Sequence, residues 1–165
     1  MIKNLIASNI SKKYQDTLFV RYFGLTKVPL IFFVSPSVIR LDDEQCIVKI
    51  PLNRRTKNHL NSMYFGVLAT GADLAGGLVA MKEISNSKKK VALSFKDFHA
   101  EFLKRAEGDV HFVCTQISEI KKFVSEVIAS GERMNFPVYI EAIVPCEGTE
   151  PVAKFTLTLS LKLKD

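Results

Sequence analysis

The sequence predicts an α+β fold in which an antiparallel sheet curls around one long, hydrophobic central helix. Residues 63–81 form a long apolar segment rich in small residues, whereas the chain after residue 84 holds several strand-like segments joined mostly by short turns. The last of these, residues 153–163, alternates apolar and polar residues. Such alternation is typical of a sheet with one buried face and one wet face.

Helical and strand-like segments precede the central helix. Apolar residues at helical spacing predict a helix over residues 5–23, and Gly24 can end it. The next two predicted strands, joined by a tight turn, are residues 37–41 and 45–52. We therefore expect an N-terminal helical segment, residues 1–35, packed on a domain formed by residues 36–165.

Strands outnumber helices after the central helix. The apolar residues change phase between Phe95 and Phe98, which predicts a β-bulge in the first of these strands. Apolar residues at helical spacing between Glu119 and Ala129 predict a further helix that Gly131 closes. The strands predicted in this part of the chain are residues 91–104, 110–117, 136–144 and the alternating segment from residue 153 onward.

Composition fits one globular domain with a basic surface. The chain has 165 residues, 47% of them hydrophobic, and a net charge of +6. That charge favours anionic partners such as a nucleotide-bearing ligand, a nucleic acid or a membrane surface, and it equally serves plain solubility. No interleaved aromatic and basic pattern supports nucleic acid, so we expect no nucleic-acid partner.

The chain is expected to be a cytoplasmic protein without a membrane span. The central apolar segment is long enough to cross a bilayer, but Asp73 at its centre would cost about 3 kcal/mol on insertion. The apolar stretch in residues 1–15 is too short for a signal peptide and is broken by Asn and Ser. Three widely spaced cysteines without a CxxC motif indicate reduced, buried thiols. His99 and His111 lie on predicted strands without acidic or Cys partners at metal spacing, so no metal site is expected.

Asp73 is the most informative residue of the central segment. On a helix its face holds only small residues: Ser62, Gly66, Ala69, Thr70, Gly76, Gly77 and Ala80. Small residues let another backbone approach closely or leave room for a ligand. A buried carboxylate needs hydrogen-bond partners or a raised pKa. Asp73 is therefore either a general base or nucleophile, or a structural acid bonded to Thr70 or the nearby backbone.

The segment "NHLNSMYFGVLATGADLAGG", residues 58–77, resembles the central-helix segment of hotdog-fold acyl-CoA thioesterases, especially the phenylacetate-pathway type. The family's Asn, Gly, His-Gly-Gly and Asp fall on Asn58, Asn61, Tyr64-Phe65-Gly66 and Asp73. The His is therefore replaced by Tyr and the next Gly by Phe. The resemblance covers residues 36–164 and is closest to an uncharacterised subgroup that has a leading helical segment.

The resemblance implies a specific chemistry at the start of the central helix. A backbone N–H of Gly66 or Phe65 would face the thioester carbonyl and stabilise the oxyanion, aided by the helix dipole. Asp73 would act as a general base on water or as a nucleophile, often from the partner subunit. Asn58 would hold the water or orient the thioester.

The implied substrate is an acyl-CoA, so coenzyme A is part of the substrate and no separate cofactor is expected. The candidate substrate-binding residues are His59, Asn61, Ser62, Tyr64, Phe65 and Thr70. The basic residues that suit the phosphates of coenzyme A are Arg54, Arg55, Lys88, Lys89, Lys90 and Arg105. The resemblance also implies a homodimer or a dimer of dimers, because similar proteins pair two domains into one continuous sheet.

Two functions from different classes remain open on the sequence. The first is thioester hydrolysis; the second is a non-catalytic protein that binds acyl-CoA or a fatty acyl group, with Tyr64 and Phe65 lining a pocket and Asp73 structural. A Phe65 that turns into the core favours the enzyme, and a Phe65 that fills the thioester position favours the binding protein. His59 could pair with Asp73 for proton transfer, but a loop-packing or N-cap role fits its position better.

Overall fold

The computed structural model describes residues 11–164 of the chain. Within that range it confirms the predicted α+β architecture, with one long helix against a six-stranded sheet. The elements in chain order are α1 (Lys12–Lys27), α2 (Pro29–Phe33), β1 (Ser37–Leu41), β2 (Cys46–Ile50), α3 (Phe65–Ser87), β3 (Val91–Phe102), β4 (Val110–Cys114), α4 (Ile117–Ser130), β5 (Met134–Ile143) and β6 (Pro151–Leu163).

The sheet has the order β1-β2-β4-β5-β6-β3, and every neighbouring pair is antiparallel. Among residues 11–164, the 12-residue strand β3 forms one edge of the sheet and pairs only with β6. Its register shifts between Phe95 and Phe98, which confirms the predicted bulge. Because the bulge re-phases the strand, both of these side chains can point to the face that carries α3.

Helix α3 is the core of the fold. It contacts strands β2 to β6, and its buried residues include Leu74 and Leu78. Among the described residues, α3 is the one helix that is long and apolar enough to cross a membrane. However, 67% of its most apolar 18-residue stretch is buried inside the protein. Its close approach to the sheet depends on Gly71, because a Cβ atom there would lie 2.2 Å from the ring of Phe112.

Helices α1 and α2 pack against α3 and strand β1. Lys82 on α3 pairs with the buried Asp16 on α1, at 2.5 Å between Nζ and Oδ1. The backbone N–H of Val38 donates to Thr17 Oγ1 at 2.9 Å, and Arg21 Nε donates to the carbonyl of Pro36 at 3.0 Å. These polar contacts fix the N-terminal helices on the rest of the protein.

The predicted end of the first helix is wrong. Helix α1 continues through Gly24 to Lys27, and the predicted residues 5–10 lie outside the described part of the chain. Gly24 instead allows α2 to approach, since a Cβ atom there would lie 2.6 Å from the backbone nitrogen of Phe32. The predicted Gly131 stop is confirmed: this residue has φ of 72° and donates its N–H to Val127.

The cysteines match the sequence prediction in part. All three are free, and Cys46 and Cys114 are buried opposite each other on β2 and β4. Cys146 is exposed rather than buried, because it lies in the turn between β5 and β6.

Candidate active site

The loop from residue 51 to residue 64 fixes the start of α3. Thr56 is fully buried, and its hydroxyl donates to the carbonyl of Pro51 at 2.6 Å. The carbonyl of Thr56 in turn accepts the N–H of Tyr64 at 2.9 Å. Met63 donates its N–H to the carbonyl of Ala106 at 2.8 Å. The helix start is therefore tied both to its own loop and to the segment between β3 and β4.

Asn58 organises this loop. Its Oδ1 accepts the backbone N–H of Leu60 at 2.8 Å and that of Ser62 at 3.3 Å. Its Nδ2 donates to the hydroxyl of Ser62 at 3.2 Å. Asn61 has a left-handed backbone, with φ of 60°, and its Oδ1 accepts a hydrogen bond from Lys57. Both amide side chains are thus engaged within the loop.

The first turn of α3 offers free backbone donors. Among the described residues, the N–H groups of Phe65 and Gly66 have no hydrogen-bond acceptor, and Tyr64 at the N-cap supplies no side-chain cap. A Cβ atom at Gly66 would lie 2.6 Å from the Tyr64 ring, so a larger residue here would require this exposed ring to shift. Free amides together with the helix dipole favour a negative charge at this point.

A cavity of about 540 Å³ lies at this end of the helix, and we call it the head cavity. Phe65, Tyr64 and Phe102 line it. The Phe65 side chain is 60% accessible; its ring centre lies 4.8 Å from that of Tyr64 in a tilted arrangement and 6.4 Å from that of Phe102 in an edge-on arrangement. The ring therefore does not turn into the core. The remaining lining residues are Asn58, His59, Leu60, Ser62, Met63, Leu68, Lys104, Arg105 and Ala106.

Asp73 lies in a second cavity, of about 210 Å³, which we call the Asp73 cavity. No hydrogen bond or ion pair to its carboxyl group is formed by residues 11–164. The hydroxyl of Thr70 donates instead to the carbonyl of Gly66 at 2.8 Å. The expected hydrogen bond from Thr70 or the nearby backbone to this carboxyl group is therefore not formed. Burial raises the pKa of Asp73 above its ordinary value because the charged form is poorly solvated there.

The free amides and Asp73 are too far apart to act on one carbonyl within a single chain. Gly66 and Asp73 are seven residues apart on α3, which places them on the same face but about 10 Å apart along the axis. An oxyanion and a water molecule attacking the same carbon each need contacts of about 3 Å. The head cavity and the Asp73 cavity also share no lining residue.

The basic candidates do not form one cluster. Residues 88–90 follow the C-terminal end of α3, about 34 Å from its start. Arg54 and Arg55 lie in the loop before α3, and the Arg55 guanidinium lies 5.8 Å from the centre of the Phe33 ring. Arg105 lines the head cavity, with its Nε 3.2 Å from a carboxylate oxygen of Glu107.

The histidines lie apart from Asp73. His59 lines the head cavity rather than the Asp73 cavity. His99 is exposed on β3, 3.8 Å from Glu101. Burial lowers the pKa of His111, and Lys49 adds to this effect. Within residues 11–164 no group of three His, Cys, Asp or Glu side chains is placed to hold a metal ion.

Helices α1 and α2 contribute side chains around Asp73, which was not predicted from the sequence. Phe23, Val28 and Ile31 form one wall of the Asp73 cavity, opposite Phe95 on β3. The apolar segment "VPLIFFV", residues 28–34, could have indicated this contact, because a short helix that faced only solvent would be more polar. Which cavity this segment lines depends on tertiary contacts, and the periodicity of the sequence does not reveal them.

One family and several solved structures match the chain. The family described as "Domain of unknown function (DUF4442)" matches residues 16–161. No curated protein matches the chain.

The solved structures are distant in sequence and similar in fold. A protein of unknown function from Chlorobaculum tepidum has a TM-score of 0.78 at 16% identity, covering 93% of this chain and 97% of its own. A Pseudomonas aeruginosa protein described as a "Probable Thioesterase" has a TM-score of 0.72 at 20% identity, covering 90% and 96%. A thioesterase from Haemophilus influenzae has a TM-score of 0.62 at 12% identity, covering 86% and 88%. At these identities the likeness shows a shared fold.

Proposed function

The chain belongs to the DUF4442 family and has the hotdog fold that the resemblance of residues 58–77 implied, and from this premise we propose that it is a thioesterase that hydrolyses acyl-CoA. The observation that supports this most strongly is the carboxyl group of Asp73. It lies in a cavity without a hydrogen-bond partner from residues 11–164, and burial raises its pKa. Two structurally similar proteins are described as thioesterases, which agrees with the proposal.

We assign to Asp73 the role of general base on water, or of nucleophile. A raised pKa makes the ionised carboxylate a stronger base, and the lack of structural partners leaves both oxygens available. Hydrolysis would then need water and the acyl-CoA alone, without a separate cofactor.

We assign oxyanion stabilisation to the free N–H groups of Phe65 and Gly66. Because these amides lie about 10 Å from Asp73 in the same chain, we propose that a second copy supplies one of the two groups. The edge strand β3, whose Phe98 and Phe102 are exposed, favours such a dimer. Two sites related by a two-fold axis would follow, and two dimers could assemble further.

Coenzyme A would enter through the head cavity. Lys104 and Arg105 line it and are suited to phosphate groups. Arg105 is the one predicted phosphate-binding residue found there. We also propose a cytoplasmic location, which agrees with the free thiols of Cys46 and Cys114, two residues paired across β2 and β4.

Phe65 supports the second candidate function, a binding protein without catalysis. Its ring lines the head cavity, packs against Tyr64 and restricts the approach of a thioester to the amide of Gly66. On this alternative the protein holds an acyl-CoA or a fatty acyl group without cleaving it. The unpartnered Asp73 speaks for the enzyme, since a purely structural acid would have hydrogen-bond partners.

The test is thiol release from a panel of acyl-CoAs, from short to long chain and including aryl groups, by the wild type and by Asp73→Asn. We expect turnover by the wild type and a loss of at least a hundredfold in a folded Asp73→Asn. Glu150→Gln, a neutralised carboxyl in an exposed turn, serves as the matched control and should keep full activity.

The panel separates the two candidate functions. Turnover that is unchanged in Asp73→Asn would remove this residue from the reaction. Absence of turnover on every member, together with retained acyl-CoA binding, would establish the binding protein instead.

A further inference from the structure

The Asp73 cavity adjoins a third cavity of about 300 Å³. The two share three lining residues: Phe23, Met81 and Leu93. The two cavities therefore lie next to each other along the groove between α1–α2, α3 and the first half of β3. We call this space the α1–β3 channel. Asp73 lies at one end, and Ile84 and Val91 line the other.

The lining of the α1–β3 channel is almost wholly apolar. Its titratable lining residue is Asp73, and no Lys or Arg lines either part. The polar lining side chains are two serines, Ser85 and Ser94. A phosphate or a nucleotide therefore has no counter-charge here, whereas a hydrocarbon chain can bury its surface throughout.

We propose that the α1–β3 channel takes the straight alkyl chain of the substrate and that the N-terminal helices set its length limit. This inference rests on the proposed function for the identity of the substrate, with the reacting carbonyl next to Asp73. Phe19 and Phe23 from α1 line the side of the channel away from strand β3. The channel exists only because this helical segment covers α3.

The length of the channel predicts the length of the preferred acyl chain. Asp73 and Ile84 are eleven residues apart on α3, which corresponds to about 16 Å. An extended chain advances about 1.2 Å per bond, judged from the three bonds of an extended residue. The channel therefore accommodates a straight chain of roughly twelve to fourteen carbons. A short or aryl acyl group would leave the distal part unfilled.

The test is binding of straight-chain primary alcohols with six to sixteen carbons to the full chain, measured by calorimetry. Alcohols are uncharged, so Asp73 does not repel them, and they need neither coenzyme A nor turnover. We expect affinity to rise about fourfold with each methylene up to roughly twelve to fourteen carbons and then to level off. A dependence that is flat from six carbons onward would overturn the proposal.

Ile84→Trp should move the plateau to shorter chains, because the indole fills the distal end of the channel. Val91→Phe, at the same end, provides a second variant should the first not fold. Ile128→Trp is the matched control: Ile128 is also half-buried on a helix but does not line the channel. A plateau that shifts equally in the control, or in neither channel variant, would also overturn the proposal.

The outcomes separate this inference from the proposed function. Binding that depends on chain length, without thioester hydrolysis, would support the channel proposal and contradict the proposed enzymatic function. Hydrolysis without a chain-length preference, together with no alcohol binding, would support the proposed enzymatic function and contradict the channel proposal.

Discussion

At the scale of single residues, the position of Asp73 disfavours the charged form of its carboxyl group, yet leaves both carboxyl oxygens free to react. Its carboxyl group is partly buried beside Phe95 and Leu74, and no described residue donates a hydrogen bond to it. Folding therefore costs free energy whenever this group is ionised. A protein that keeps such a cost at one position commonly does so for function.

We predict that Asp73→Asn stabilises the protein at pH 7. The folded-state pKa of Asp73 is raised, so the folded state holds its proton more tightly than the unfolded state does. The resulting destabilisation is absent below the unfolded pKa, grows as the pH rises through the folded pKa, and is complete above it. Urea unfolding at pH 7 should show a higher free energy of unfolding for the variant.

The same unfolding experiment at pH 3 should show a much smaller difference between Asp73→Asn and the wild type. Glu150→Gln should have no effect at either pH, because its side chain is exposed. An Asp73→Asn variant that is less stable at pH 7 would mean that the carboxylate has stabilising partners, contrary to the structure.

At the scale of elements, the small residues of α3 serve two purposes. Gly71 lets the helix approach β4, where a Cβ atom would overlap the fully buried ring of Phe112. Gly77 instead borders the Asp73 cavity, where a Cβ atom would make ordinary contacts of 3.7 Å with Phe95. The same run of small residues thus contains one glycine that allows close packing, Gly71, and one that borders a cavity, Gly77.

Gly71→Ala and Gly77→Ala form a matched pair on one helix. We predict that Gly71→Ala destabilises the protein by about 1–3 kcal/mol through overpacking against Phe112. Gly77→Ala should be neutral or stabilising by up to about 1 kcal/mol, because alanine favours the helix. Thermal and urea unfolding measure both; equal destabilisation of the two variants would show that the packing contacts are wrong.

The N-terminal helices are held by few polar contacts, of which the Asp16–Lys82 pair is the most buried. We predict that Asp16→Asn costs about 1–3 kcal/mol, because Lys82 loses a charged acceptor. Glu126→Gln, which removes an exposed pair with Lys122, should cost at most about 0.5 kcal/mol. If the two variants lose equal stability, as measured by urea unfolding, α1 is not anchored through this pair.

At the scale of the whole molecule, the sequence predicts the architecture better than the site. Alternation in residues 153–163 and the phase change at Phe95 are local patterns, and the structure confirms both as a strand and a bulge. The division of the candidate residues between two cavities is not local. It depends on where α1 and β3 meet across α3, so spacing along the chain could not reveal it.

The proposed dimer predicts a concentration-dependent assembly through β3. Phe102→Glu should weaken it, since a carboxylate would replace an exposed apolar ring near the edge strand. Tyr139→Glu changes an equally exposed aromatic side chain on β5 and serves as the control. Sedimentation velocity should show a dimer for the wild type and the control, with a larger monomer fraction for Phe102→Glu. A monomeric wild type would contradict the two-copy site.

The central claim is that the ionised carboxylate of Asp73 drives thioester hydrolysis. The most direct test is kcat/KM for the preferred acyl-CoA between pH 4 and pH 8, in the wild type and in Asp73→Asn. The account predicts that the wild-type value rises with pH and levels off, with a midpoint above the ordinary value of 3.8 for an aspartate. Asp73→Asn should lose both the activity and this titration. A wild-type profile without such a titration, or one that Asp73→Asn reproduces, would contradict the account.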